Sequence, residues 1–357
     1  MKSINNICFI HISARPGGIE VLLPLIIKSS PAYKFSAFVI RPFPVEDSDI
    51  YHDVDIPIVK GSFKNYKALY KIITYARKNK KSIFHAYNIG PLFLLALRLG
   101  GIQNIVYSIH GTVYWKKKSQ KMLLKFLWWL SLGKNIKITA NTDFSKKVFE
   151  KKITDKYSIE TLYNPIDTKK FTAANKPHLD LNKLKILYCG RFAPGKNLLA
   201  WVKIAAGIRS VFPGTQFFMY GQGPLKDEVE KHIFEKGYEN FIYVRGFRND
   251  IENAYKESDV LLFLSEYESF GNVAVESILT GTPAIVSNIP SMQEIFKSYP
   301  GFMVSLEDNL QKQIISKLRE LDKLLAWTKS AQKEFRSRFS SDSHISQLHR
   351  IYQSFSA

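Results

Sequence analysis

VLLFLSEYESFGNVAVESILTGTPAIVSNIPSMQE, residues 260–294, reads as strand, loop, helix and second strand. The apolar run Val260 to Phe263 is short and continuous rather than alternating, the pattern of a parallel strand buried on both faces. The chain leaves that strand at Leu264 and enters a loop holding Glu268, Phe270 and Gly271. A helix begins near Asn272, and Pro283 to Val286 supplies the next buried strand. Strand, helix and strand in close succession is the repeating unit of a parallel sheet with helices on its faces.

Outward from this unit the same alternation fills the chain. Upstream in the same series stand Lys185 to Cys189, Gln216 to Gly221 and Phe241 to Val244, and downstream Phe302 to Val304. An earlier series runs through Ile7 to Ile12, Phe35 to Ile40, Ile56 to Val59, Ile83 to Ala86, Ile105 to Ile109, Ile136 to Ala140 and Ile159 to Tyr163. Two successive doubly wound α/β domains follow, residues 1–171 and 184–342, joined by the polar, proline-containing stretch 172–183 as linker. Ile345, Leu348, Ile351, Tyr352 and Phe355 stand at helical spacing, so residues 343–357 are expected to form a last helix packed on one of the domains.

The 357 residues are 45% hydrophobic and 23% charged, as in a globular enzyme of two domains. Cys8 and Cys189 lie inside apolar runs and read as small buried hydrophobes rather than a disulfide or metal pair. Ile7 to Ile12 is too short for the apolar part of a secretory signal, and no stretch has the length of a spanning helix, so a cytoplasmic protein is expected. Net charge is +20, carried unevenly: 29 Lys and Arg oppose 12 Asp and Glu in residues 1–180, against 22 and 19 in residues 181–357. Such a field attracts polyanions, either nucleic acid or an anionic membrane leaflet. A nucleic-acid reading helix, zinc site or RNA-binding aromatic motif is missing from the sequence, so nucleic acid is not the expected partner.

Two constellations carry chemistry. The free N–H groups of the first turn at Asn272 form an anion site, and Gly271 lets a phosphate or sugar approach the main chain. Glu268 and Glu276 bracket that helix start, and carboxylates accept hydrogen bonds from sugar and ribose hydroxyls. GRFAPGKN, residues 190–197, follows the strand at Lys185 to Cys189 and brings Arg191 and Lys196 into reach of one diphosphate. Weaker signals are the turn Gly221 to Pro224, the turn Val244 to Phe247, the Gly17–Gly18 turn after the first strand, and His110 at a strand end facing the ligand crevice of a doubly wound sheet.

Glu268, seven residues, Glu276, followed by TGTPAIV, resembles the E-x7-E signature of retaining glycosyltransferases of the GT-B fold, the large group 1 family, family four. Ser269 replaces the family's usual glycine in that turn. The resemblance implies two Rossmann-like domains facing a central cleft, the first binding the acceptor and the second a nucleotide-sugar. It implies Glu268 beside the donor sugar and Glu276 on the ribose. Arg191 and Lys196 match the family's diphosphate-binding motif, and Gly221, Val244, Phe270, Asn272 and Val273 fall in loops that approach the nucleotide. Gly17, Gly18 and His110 match positions across the cleft, near the donor phosphates and sugar; His110 and Glu268 are the implied catalytic residues. Asn141 to Ser145 and Tyr163 to Asp167 also resemble family segments near the cleft, with Asn164 read as a turn residue.

The implied reaction is retaining transfer of a sugar from a UDP-sugar, or next a GDP-sugar, to a glycan or lipid-linked acceptor of a bacterial surface polysaccharide. The alternatives are other GT-B enzymes, a nucleotide-sugar epimerase or a sugar phosphorylase. Histidines and carboxylates show no ligand spacing, so no metal and no cofactor is expected. Tyr114 to Leu132 is basic at its start and aromatic after it, either a helix of the first domain or an interfacial one. On the second reading Lys116, Lys117, Lys118, Lys121 and Lys125 meet an anionic membrane surface, and the protein sits peripherally on the inner face of the cytoplasmic membrane.

Overall fold

The apolar runs become parallel strands because both their faces are covered: every residue of Ile83–Tyr87, Ile105–Ile109, Val260–Phe263 and Ala284–Ser287 is buried. A computed structural model describes residues 5–13, 18, 22–41, 51, 54–111, 118–133, 135–174, 180–307 and 309–356, with residues 118–121 described in backbone only. Among these the strands are β1 Asn6–His11, β2 Lys34–Val39, β3 Ile58–Lys60, β4 Ile83–Tyr87, β5 Ile105–Ile109, β6 Ile136–Ala140, β7 Ile159–Thr161, β8 Lys185–Cys189, β9 Gln216–Tyr220, β10 Ile242–Gly246, β11 Val260–Phe263, β12 Ala284–Ser287 and β13 Met303–Val304. Each matches an apolar run read from the sequence within a few residues. The last begins at Met303 because Pro300–Phe302 closes into a 3-10 turn first.

Two parallel sheets result, ordered β3-β2-β1-β4-β5-β6-β7 and β10-β9-β8-β11-β12-β13. In each the chain winds outward from its first strand, returns, and continues on the other side. The order therefore reverses between β1 and β4 in one sheet and between β8 and β11 in the other, the place where doubly wound folds open a ligand crevice.

The chain divides into two compact units, Met1–Pro165 with Ser341–Ala357, and Ile166–Ser340. The division falls before the polar stretch 172–183, because the residues just after it are stitched into the second unit. The Ile166 N–H donates to the Phe339 carbonyl at 2.8 Å, and the Arg336 guanidinium donates to the carbonyls of Thr168 at 3.0 Å and Phe171 at 3.2 Å. The terminal helix, Ser341–Gln353, belongs to the first unit. Its Ile345, Leu348, Ile351 and Tyr352 pack among Ile7, Phe9, Leu23 and Val106. Tyr352 also reaches a buried polar ladder in the middle of the sheet. Its hydroxyl lies 2.7 Å from His85 Nδ1, His85 Nε2 lies 2.6 Å from Ser108 Oγ, and Ser108 Oγ lies 2.7 Å from Thr139 Oγ1. Burial holds the His85 imidazole neutral, its pKa far below the ordinary histidine value.

On the opposite face of the first sheet, helices Asn65–Lys78, Pro91–Leu99 and Lys118–Leu132 pack side by side. In the second unit, the helix Leu198–Val211 is pinned against the middle of the sheet by Trp201, whose indole N–H donates to the Leu262 carbonyl in β11 at 2.9 Å.

Candidate functional site

The second sheet's reversal point is where the two charged constellations meet. Strand β8 ends at Cys189 and releases the loop Gly190–Asn197; its neighbour β11 ends at Phe263 and releases the loop that runs to Gly271. The loops are tied together by main chain, the Glu266 N–H donating to the Gly195 carbonyl at 2.9 Å. They are tied by charge as well. Lys196 Nζ makes an ion pair with Glu268, and the same ammonium lies 5.4 Å from the centre of the Phe263 ring. Ser265 Oγ donates to the same Glu268 oxygen at 3.0 Å, which orients the carboxylate. Arg191 is exposed, and its guanidinium has no hydrogen-bond or ion-pair partner among the described residues. Its backbone is held from below, where the buried Tyr188 hydroxyl donates to the Arg191 carbonyl at 3.0 Å. A free guanidinium and a paired ammonium in the same loop are groups fitted to an anion.

The helix Asn272–Leu279 starts directly from this loop. Gly271, its N-cap, has φ 88°, a conformation that side-chain-bearing residues rarely adopt, and a Cβ there would press on the flexible end of Met292. Ser269, where the family pattern has glycine, is not among the residues with positive φ and needs no glycine. One turn into the helix, Glu276 is half-buried and accepts a hydrogen bond from the Tyr255 hydroxyl at 2.8 Å. Burial pushes the Glu276 carboxyl up to about 7, against the Tyr255 hydrogen bond and the Lys170 charge, which lower it. Cys189 lies close enough to feel that carboxylate; burial first, then Glu276, pushes its thiol up to about 12, so it is not a nucleophile at neutral pH.

Other expected site residues take varied places. Gly221 packs the loops together: a Cβ would lie 1.9 Å from the Gly190 carbonyl oxygen, and its N–H donates to the Gly246 carbonyl at 2.7 Å. Val244 lies in β10 just before an irregularity in its register with β9. Asn272 and Val273 form the half-buried first turn. The Phe270 side chain is buried against Phe339, ring centres 5.3 Å apart, so it is core and only its main chain remains for a ligand. In the first unit, His110 directly follows β5, and Gly18 is exposed with open space where a Cβ would stand. Gly17, Lys116 and Lys117 lie outside the described residues, as do the side chains of Lys118 and Lys121, while Lys125 is exposed.

His110 has partners that sequence reading missed. Burial and the nearby His344 hold its pKa down to about 3, against a hydrogen bond with Asn164 that raises it. Asn164 is therefore a buried partner of His110 rather than a bare turn residue. His344 arrives from the terminal helix, its Nδ1 donating to the Tyr163 carbonyl at 2.7 Å. Tyr255, Asn164 and His344 carry no local motif, and only the assembled fold brings them to Glu276 and His110. Among the described residues no group of three or more His, Cys, Asp or Glu side chains is placed to hold a metal ion.

Comparison with known proteins gives the family and the fold. The family model described as glycosyl transferases group 1 matches residues 169–334, and that described as glycosyltransferase family 4 matches residues 28–170. An Escherichia coli UDP-Gal:alpha-D-GlcNAc-diphosphoundecaprenol alpha-1,3-galactosyltransferase is 28% identical over 262 residues, 69% of this chain and 68% of that protein. A Klebsiella pneumoniae protein of the cps region is 27% identical over 311 residues, 80% of this chain and 82% of the other. Among solved structures, Anabaena Alr3699/HepE in complex with UDP-glucose superposes with a TM-score of 0.81 at 19% identity, covering 98% of this chain and 99% of that one. WaaG, a glycosyltransferase involved in lipopolysaccharide biosynthesis, superposes with a TM-score of 0.71 at 16% identity, covering 92% and 94%.

Proposed function

We propose that this chain, which belongs to the group 1, family 4 glycosyltransferases and has their GT-B fold, moves a sugar from a UDP-sugar to a lipid-linked glycan with retention at the anomeric carbon and without a metal ion. One observation carries the reading: the loops after β8 and β11 converge at the reversal point of the second sheet, joined by the Lys196–Glu268 pair, with Arg191 exposed in the same loop as Lys196. In the reaction the bond between the sugar anomeric carbon and the phosphate oxygen breaks, and the electron pair leaves on the diphosphate. Arg191, Lys196 and the N–H groups of the Asn272–Leu279 helix neutralise that charge as it develops. Lys196 keeps donors for the diphosphate while Glu268 holds it, since an ammonium has three. Glu276 accepts from the ribose hydroxyls, Glu268 faces the sugar, and neutral His110 offers a hydrogen bond rather than a charge. The acceptor hydroxyl attacks from the face the diphosphate leaves, and its proton passes to a departing phosphate oxygen.

UDP as the nucleotide is supported by the name of the E. coli relative, and a diphospholipid-linked acceptor by that name and by that of a Campylobacter jejuni N-acetylgalactosamine-N,N'-diacetylbacillosaminyl-diphospho-undecaprenol 4-alpha-N-acetylgalactosaminyltransferase, 27% identical over 168 residues, 46% of this chain and 45% of that protein. Such an acceptor would place the enzyme on the cytoplasmic face of the membrane, with surface polysaccharide assembly as its setting. The test is to incubate UDP- and GDP-sugars with an undecaprenyl-diphosphate-linked acceptor, with and without chelator, and to read the product's anomeric configuration by nuclear magnetic resonance. The expected result is an axial or equatorial bond like the donor's, formed equally in chelator. Inversion, or activity lost in chelator and restored by manganese, contradicts it. Donor converted without acceptor identifies an epimerase instead.

A further inference from the structure

The second unit holds a cavity to which the donor loops contribute nothing. It lies beside the edge strand β13, two strands from β11, where the helices Leu310–Arg319 and Leu321–Arg338 meet at Glu320. Gly301, Lys317, Glu320, Lys323, Leu324 and Trp327 line it, and no residue of 190–197 or 264–271 does. Its volume is about 380 Å³, within the span of roughly 300–1,000 Å³ usual for small-molecule sites.

An edge strand leaves main-chain groups without a neighbouring strand to pair them. The helix Leu310–Arg319 supplies partners from side chains one turn apart: Gln313 Oε1 accepts from the Ser305 N–H at 2.9 Å, and the Lys317 ammonium donates to the Gly301 carbonyl. Gly301 suits that point because the Trp327 ring lies where a Cβ would stand. Lys317 thus uses one of its three donors on main chain, and it makes no ion pair among the described residues. The side chain is half-buried, and burial pushes its pKa below the ordinary lysine value, against the nearby Glu320, which raises it. Glu320 pairs instead with Lys323 at 3.1 Å, whose ammonium also lies 5.1 Å from the centre of the Trp327 ring. Two ammoniums against one carboxylate leave the cavity with a positive charge that no lining side chain balances. A half-buried charge in that position carries a desolvation cost that a bound anion would offset.

We propose that this cavity is a second ligand site, which binds a compact hydroxylated organic anion, a sugar acid or sugar phosphate in size, through Lys317 and Lys323. The carboxylate or phosphate oxygens take the remaining Lys317 donors. The first turn of the helix Leu321–Arg338 also lines the cavity, and its dipole favours a negative charge there. Met303, Leu324 and Trp327 offer apolar walls to the ligand's C–H groups, while Ser316 and Glu320 offer partners to its hydroxyls. A neutral sugar would leave the positive charge unbalanced, and an inorganic ion would leave the apolar walls uncovered. The site takes no part in the transfer reaction proposed above, and its ligand needs neither nucleotide nor acceptor.

Glucuronate, glucose 1-phosphate, glucose and inorganic phosphate are titrated calorimetrically into the full-length protein. Saturable binding of glucuronate, glucose 1-phosphate or both is expected, weakened by salt, with glucose and inorganic phosphate at least tenfold weaker. Which of the two anions binds identifies the oxyanion as carboxylate or phosphate. Lys317→Met should lower the affinity at least tenfold and Lys323→Gln severalfold, whereas Arg191→Ala should leave it unchanged. Lys323→Gln keeps the Lys317 contact to Gly301, so it decides the matter if circular dichroism shows Lys317→Met unfolded. Binding of neither anion, glucose or inorganic phosphate binding equally well, or an affinity indifferent to Lys323→Gln and to folded Lys317→Met overturns the proposal. Affinity lost in Arg191→Ala instead assigns the anion to the donor loops and overturns it too. If these titrations behave as expected but UDP does not bind, the donor reading fails and this one stands.

Discussion

The two units share a strand order and spend their charge differently. In the second, nearly neutral unit the charged groups converge on the reversal point between β8 and β11, where Lys196 pairs with Glu268 and Arg191 stays free. In the first, strongly basic unit the described groups just after β4 and β5 are uncharged: His110 held down to about 3, Asn164 beside it, and Asn88 in a left-handed turn after β4. Exposed lysines stand instead on its helices, Lys67 and Lys71 on Asn65–Lys78 among them. Net charge therefore says little about where a phosphate binds, whereas the few charged side chains at a strand-order reversal say much.

The sharpest way to break that contrast is Arg191→Ala. Since the guanidinium makes no hydrogen bond or ion pair with the described residues, unfolding without ligand should be unchanged within about 0.5 kcal/mol. Loss of one charged donor to a departing oxyanion should lower kcat/KM by about 10² to 10³. Equal melting with near-normal turnover would remove Arg191 from the site. Next comes Gly271→Ala, which sets a Cβ against Met292 at φ 88°. A destabilisation of about 1–3 kcal/mol, read from chemical denaturation, is expected together with weaker UDP binding; a silent substitution would mean that the helix start relaxes freely.

The third prediction concerns pH. The Glu276 carboxyl is raised from an ordinary 4.5 to about 7, so it ionises, and accepts fully from ribose hydroxyls, as pH rises through about 7. UDP affinity measured from pH 6 to 8 should therefore climb severalfold, and Glu276→Gln should flatten the curve. The effect on folding has the opposite sign. Between pH 4.5 and 7 the folded chain holds a proton that the unfolded chain releases, so this group's contribution to stability declines as pH rises across that window. The smallest expected effect is Tyr255→Phe, which removes the hydrogen bond that lowers the Glu276 pKa. The midpoint of the UDP pH profile should move upward by a fraction of a unit, and a downward move would reverse the assigned role of Tyr255.

Legibility followed range along the chain. The strands were plain because a strand buried on both faces must be apolar at every position, and the Asn272 helix start was plain because Gly271 and Asn272 punctuate the pattern. The pairing of Lys196 with Glu268, 72 residues apart, was foreshadowed only by placing both after strands. Tyr255 beneath Glu276, Asn164 beside His110 and His344 from the terminal helix had no local signal, because each depends on which strands and helices become neighbours. Phe270 shows the converse. Its position in a ligand loop suggested a binding side chain, yet an apolar ring next to Phe339 gains more from burial than from a polar ligand.

The central claim is that Arg191, Lys196 and Glu276 surround a single nucleoside diphosphate. Calorimetric titration of UDP into the protein and into Arg191→Ala and Glu276→Ala tests it without an acceptor or a membrane. One site, with affinity lowered at least tenfold in each variant, is the expected result. Binding that survives intact in both variants, or none by UDP or GDP to the unaltered chain, would contradict it.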